Sequence, residues 1–126
     1  MLCIMPSQPS GAAQRILVAD DDDLLSEVLA NALERHGYVV SRAPRGVISA
    51  ALAAEVDLVV LDAHIPGIDF DWALRLLRER ETPLLVLSGE PSPPPGVDDD
   101  EFLAKPVDLG RLLAAVRRLA SPATAA

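Results

Sequence analysis

The chain has 126 residues, half of them hydrophobic but only 3% aromatic, and a formal net charge of −8. That length suits one domain with one core, and the core has to be aliphatic. The acidic balance speaks against nucleic acid, whose phosphates demand a basic surface, and against an anionic membrane. It suits a divalent cation or a basic partner.

The opening MLCIMPSQPSGAAQ has no basic segment followed by a long apolar one, so it does not read as a secretory signal. Residues 1–14 and 121–126 lack periodicity and are expected to be flexible tails around a domain spanning 15–120. Cys3 is the only cysteine, which precludes an internal disulfide and agrees with a reducing cytoplasm. No apolar run reaches membrane-spanning length.

RILVA (15–19) reads as a buried strand. A helical pattern follows, with Leu24, Leu25, Val28, Leu29, Ala32 and Leu33 on one face, a cap from Asp22 or Asp23, and Gly37 as a stop. YVVSR is a second strand, VISAALAAE (47–55) a short helix, and DLVVLD (57–62) a third strand. Pro66-Gly67 marks a turn. Phe70 or Asp71 then opens a helix through Arg80, expected to bury Trp72, Ala73, Leu76 and Leu77. PLLVL and EFLA are the last strands, and Asp108 caps a helix with Leu109, Leu112, Leu113, Val116 and Leu119 in helical spacing. Short apolar strands alternating with helices predict an α/β fold, a doubly wound five-stranded parallel sheet.

Ligands of such sheets bind beyond the carboxyl ends of the strands. There the sequence places Asp20-Asp21-Asp22-Asp23, Asp62, Ser88 and Lys105. Singly, each has an ordinary structural explanation: a helix cap, a turn former, a surface lysine. For Asp22 and Asp23 capping is the better explanation. Jointly the others are harder to dismiss, because clustered carboxylates repel unless a cation sits among them. Mg²⁺ fits, as a hard ion wanting octahedral oxygens at roughly 2.0–2.1 Å. With a lysine, a hydroxyl and a carboxylate able to attack phosphorus, the set is suited to bind a phosphoryl group.

The segments ILVADDD (16–22), DLVVLDAHIPGID (57–69), PLLVLS (83–88) and FLAKP (102–106) resemble the receiver domain of bacterial response regulators, the chemotaxis-regulator-like module of two-component signalling. The resemblance implies a flavodoxin-like sheet of strand order 2-1-3-4-5. It implies Asp62 as acceptor of a phosphoryl group from a phosphohistidine, and Mg²⁺ held by Asp21, Asp62 and the backbone carbonyl of His64, with Asp20 acting through water. Lys105 and Ser88 would contact the phosphoryl oxygens, and Gly89 would leave that site open on one side. Ser88 and Phe102 take the switch positions, although Phe102 lacks the hydroxyl of the tyrosine frequent there. Phe70 stands where the family usually has glycine.

The largest departure is GEPSPPPGVDDD (89–100), which stands where the family has its fourth helix, the one joining strands four and five. Prolines cost about 3 kcal/mol each inside a helix, and Val97 is the lone apolar residue outside them, which leaves no face to bury. The expectation is a loop with at most a short turn over Asp98–Glu101, and no dimer through the usual fourth-helix, fifth-strand and fifth-helix face. The functional expectation is a single-domain cytoplasmic regulator, catalysing only its own phosphorylation and dephosphorylation. It would exchange phosphoryl groups with a sensor histidine kinase or phosphotransfer protein as a sink, shuttle or switch. Docking would use Leu24, Leu25, Val28, Pro106 and Val107. The alternatives are a phosphorylation-independent binding module and, more remotely, a phosphatase of the haloacid dehalogenase type, which carries its nucleophile on the first strand.

Overall fold

The apolar runs pair side by side. In the computed structural model, which describes residues 13–43 and 48–120, the strands are β1 (Arg15–Ala19), β2 (Val39–Arg42), β3 (Leu58–Asp62), β4 (Leu84–Ser88) and β5 (Phe102–Ala104). They form one sheet in the order β2-β1-β3-β4-β5, and every adjacent pair is parallel. This is the doubly wound topology expected.

Alternation along the strands sorts the core into two layers. Leu17, Val59, Leu61 and Val86 point to the face covered by α2 (Ile48–Ala51) and α3 (Phe70–Glu79), where they meet Ile48, Ala73 and Leu77. Ile16, Val18, Val60, Leu85 and Leu87 point to the face covered by α1 (Asp23–Glu34) and α4 (Leu109–Ala120), against Leu29, Leu33, Leu112 and Val116. Strands β3 and β4 are buried throughout, which is why they read as unbroken apolar runs.

The helix starts follow their caps. The side chain of Asp22 accepts from the Leu25 N–H at 3.0 Å, that of Asp69 from Trp72 at 3.2 Å, and that of Asp108 from Arg111 at 3.1 Å. The helix faces differ from the sequence expectation. Trp72 is 38% exposed while Leu74 is buried, because the stripe of α3 that meets the sheet is centred on Ala73, Leu74 and Leu77. On α1, Leu24 and Val28 face outward, and Ser26 is buried instead, accepting from Arg42 Nε at 3.0 Å. The predicted helix over 47–55 is a four-residue turn of helix, with Val47 outside the described residues. Arg80 Nη1 takes the carbonyls of Leu52 and Ala53, at 3.3 and 2.6 Å, where the chain leaves that helix.

No regular helix joins β4 to β5. The segment runs irregularly to a short 3₁₀ turn at Asp99–Glu101. It does bury one residue: Val97 enters the core layer on the α3 side. Gly96 turns the chain there with φ +87°, and a Cβ on it would lie 3.0 Å from Leu74 Cδ2. Of the predicted tails, 1–14 and 121–126, all but residues 13 and 14 lie outside the described residues.

Candidate functional site

Parallel strands deliver their carboxyl ends to one edge of the sheet, so the residues that close β1, β3, β4 and β5 converge. Four polar or charged residues are buried among those described, and three of them, Asp20 (2% exposed), Asp62 (5%) and Ser88 (1%), lie at that edge. Buried polar groups cost free energy unless satisfied, so their concentration at one place marks a site rather than a core.

Asp20, Asp21 and Asp62 each offer a carboxylate oxygen within 4.8 Å of the others. Lys105 Nζ stands 3.2 Å from Asp20 Oδ2 and 3.3 Å from Asp62 Oδ2. The remaining oxygens are held by backbone: Asp20 Oδ1 by the Asp22 N–H at 2.9 Å, and Asp62 Oδ1 by the His64 N–H at 3.1 Å. Asp20 Oδ2 is buried and lacks a hydrogen bond of good geometry despite the nearby lysine, so that contact is coulombic rather than directed. Ser88 Oγ accepts from the Glu90 N–H at 3.0 Å, and the Ser88 carbonyl accepts from the Lys105 N–H at 2.7 Å.

The electrostatics follow from burial and crowding. Burial pushes the Asp62 carboxyl above its ordinary 3.8; the His64 N–H opposes this, the Asp20 charge adds to it, and Lys105 opposes it. For Lys105, burial acts to lower the pKa, but the charges of Asp20 and Asp62 outweigh it and hold the ammonium above its ordinary 10.5. Three clustered carboxylates, two of them beside Lys105, with an underbonded buried oxygen among them, fit a divalent cation bound through oxygen.

The other predicted residues fall into place differently. His64 is exposed. A Cβ added to Gly89 would meet nothing within 4 Å, so the space beside it is open. Phe102 is half-buried on the α3-side core layer. Of the docking set, Leu24 (71% exposed), Val28 and Pro106 are exposed, while Leu25 and Val107 are half-buried against the α1/α4 layer. Leu109, read from the sequence as part of a helical stripe, is exposed as well. Two features went unread in the sequence: a cleft of about 360 Å³ lined by Asp21, Ile48, Ser49, Ile65, Pro66, Gly67 and Ile68, and a paired Arg78 and Glu101. Neither has a local signal, because each joins elements far apart in the chain.

The sequence profile of the response regulator receiver domain matches residues 16–117. The chain belongs to that family. Receiver domains are phosphoryl-accepting modules of two-component signalling, and they interact with histidine kinases or phosphotransfer proteins. Among solved receivers, this chain is similar to that of the Francisella response regulator 1452, with 27% identity, a TM-score of 0.72, and 85% of this chain and 96% of that one covered. It is also similar to the non-phosphorylated HemR receiver of Leptospira biflexa, with 28% identity, a TM-score of 0.71 and coverage of 86% and 95%. Among curated proteins it is 38% identical over 116 residues to the DNA-binding dual master transcriptional regulator RpaA of Synechocystis, covering 83% of this chain and 48% of that protein. It is 37% identical over 114 residues to the transcriptional regulatory protein TcrA of Mycobacterium tuberculosis, covering 83% and 45%. The receiver thus spans about half the length of these curated relatives. No described helix is long and apolar enough to cross a membrane.

Proposed function

We propose that this receiver accepts a phosphoryl group on Asp62 from a phosphohistidine of a histidine kinase or phosphotransfer protein. The observation that carries the reading is the buried Asp62 carboxylate at the end of β3, facing Lys105 at 3.3 Å and flanked by two further aspartates. An oxygen of Asp62 attacks phosphorus, the P–N bond to the donor imidazole breaks, and the imidazole keeps the bonding pair and takes up a proton. The His64 N–H holds Oδ1 in place, which leaves Oδ2, on the lysine side, to attack.

Asp21, Asp62 and the His64 carbonyl would hold Mg²⁺, with Asp20 acting through water. When bound, the ion supplies charge neutralisation for the oxygens of the phosphoryl group in transfer. Lys105 pairs with one phosphoryl oxygen, exchanging its present carboxylate partners for it, and the Ser88 hydroxyl donates to another. Gly89 leaves the approach to phosphorus open. Leu24, Leu25, Val28, Pro106 and Val107 receive the donor protein, with Leu24, Val28 and Pro106 offering exposed apolar surface. We assign the protein to phosphoryl exchange as a sink, shuttle or interaction switch, since the segment 89–100 offers no regular helix through which to report the modification.

Incubation with a phosphorylated donor protein and Mg²⁺ tests this: the wild type gains 80 Da as an acid-stable, base-labile adduct (about one phosphoryl group). Asp62→Asn gains none. Equal labelling of the two would sink the assignment, and partner binding indifferent to both Asp62→Ala and Mg²⁺ would favour a phosphorylation-independent module.

A further inference from the structure

Strand β5 has the weakest local support in the sheet and delivers the most exacting residue. It is three residues long, lies at the sheet edge, and leads directly into Lys105. A short edge strand has few ladder bonds to specify its register, and a slip by one residue would turn its side chains to the opposite face. The chain before it supplies little help, since Pro91, Pro93, Pro94 and Pro95 have no backbone N–H to donate.

What fixes its start is a clamp of charged side chains. Arg78, on α3, sets Nη1 and Nη2 each at 2.7 Å from the two carboxylate oxygens of Glu101, and Nη2 also donates to the Gly96 carbonyl at 2.9 Å. Glu101 Oε1 accepts in addition from the Asp98 N–H at 3.0 Å. From the other side of the sheet, Arg118 on α4 donates to the Asp100 carbonyl at 2.6 Å. A bidentate guanidinium fixes direction as well as distance, which a single ammonium does not. From Glu101 the chain runs straight into the register Val86–Phe102, Leu87–Leu103, Ser88–Ala104, and then to the Lys105 N–H on the Ser88 carbonyl.

We propose that Arg78, acting through Glu101, is a positioning residue for phosphoryl transfer. It fixes the register of β5 and so holds the Lys105 ammonium on the Asp20–Asp62 pair. The inference rests on the reading of Asp62 as acceptor.

The test is the rate of phosphoryl gain from phosphoramidate with Mg²⁺, followed by intact mass, in variants shown by circular dichroism to be folded at the assay temperature. Arg78→Ala lowers the maximal rate by at least about tenfold, with a smaller change in the donor concentration for half-maximal rate, as expected when a contacting group is misplaced. Glu101→Gln and Arg78→Lys change the rate in the same direction and keep the proposal testable if Arg78→Ala does not fold. The decisive readout is the cycle with Lys105→Ala. If Arg78 acts through Lys105, removing it from Lys105→Ala costs less than about twofold. A full rate in folded Arg78→Ala, or losses that multiply in the double variant, overturns the proposal. If Asp62→Asn and Lys105→Ala both label like wild type, it is the acceptor reading that fails. If Asp62→Asn does not label, Lys105→Ala labels slowly and Arg78→Ala labels at full rate, only the positioning role fails.

Discussion

Two connections leave the buried centre of the sheet toward the same edge, and they are held by different physics. The β3–α3 connection, residues 63–69, is anchored by apolar burial: Ala63 and Ile65 are buried, Ile68 packs on the same layer, and the Ile68 N–H closes the turn on the Ile65 carbonyl at 3.0 Å. The β4–β5 connection buries only Val97 as an apolar anchor and is otherwise gripped by Arg78 and Arg118. The first kind of anchor is non-directional and carries no charge for salt to screen. The second is directional, and the Arg78–Glu101 pair within it is partly screened by solvent, since the Arg78 side chain is 41% exposed. A site can therefore keep its geometry after losing a flanking helix, provided that directed polar contacts replace the lost packing.

Several substitutions probe that difference. The largest effect belongs to the residue that the charged connection delivers. Lys105→Ala should slow phosphoryl gain about 100-fold, the loss typical of one preorganised charge stabiliser, measured with the same donor at saturating Mg²⁺. A rate within a few-fold of wild type would detach β5 from the site. Next, Ile65→Ala should cost about 2–4 kcal/mol in urea unfolding, and Val97→Ala about 1.5 kcal/mol from its two lost methyl groups. Equal costs would mean that the two connections share one mode of anchoring.

Asp20→Asn tests the site against its scaffold. Removing one of the crowded carboxylates should stabilise the metal-free protein by about 1 kcal/mol while shrinking the rise in Tm on adding Mg²⁺. A lowered metal-free Tm would show that Asp20 serves packing first. The smallest effect concerns pH. The Arg78 hydrogen bond holds Glu101 below its ordinary 4.5. A lowered folded-state pKa contributes stability that is present above the unfolded value and lost as pH falls through the folded one. Thermal melts should show Glu101→Gln less stable than wild type at neutral pH by under about 1 kcal/mol, discounted for exposure. The gap should close under strong acid. A gap that persists there would assign the cost to shape rather than charge.

The strands and the site could be read from the chain because both depend on local periodicity and on one topological rule. Five apolar runs predicted five strands to within a residue at each end, and parallel strands must bring Asp20, Asp62, Ser88 and Lys105 to a common edge. Helix phase was less secure. Trp72 and Leu74 both suit an apolar stripe, and only the angle at which α3 meets the sheet turns one out and the other in. Leu24 and Val28 share the apolar period of α1 with Leu29 and Leu33, and only packing against the sheet separates them into an exposed end, where the donor protein is proposed to dock, and a buried one.

By itself, then, the amino-acid order determined the alternating architecture, the absence of a regular helix among the prolines of 89–100, and the set of residues gathered at the carboxyl ends. Each of these follows from backbone sterics, side-chain period or strand direction, all of which act over a few neighbouring residues. Tertiary structure alone decided the burial of Val97, the early end of α2 under Arg80, and the pairing of Arg78 with Glu101 across 23 residues of sequence. Those depend on which side chains distant elements bring within reach of one another, and no local period encodes that distance.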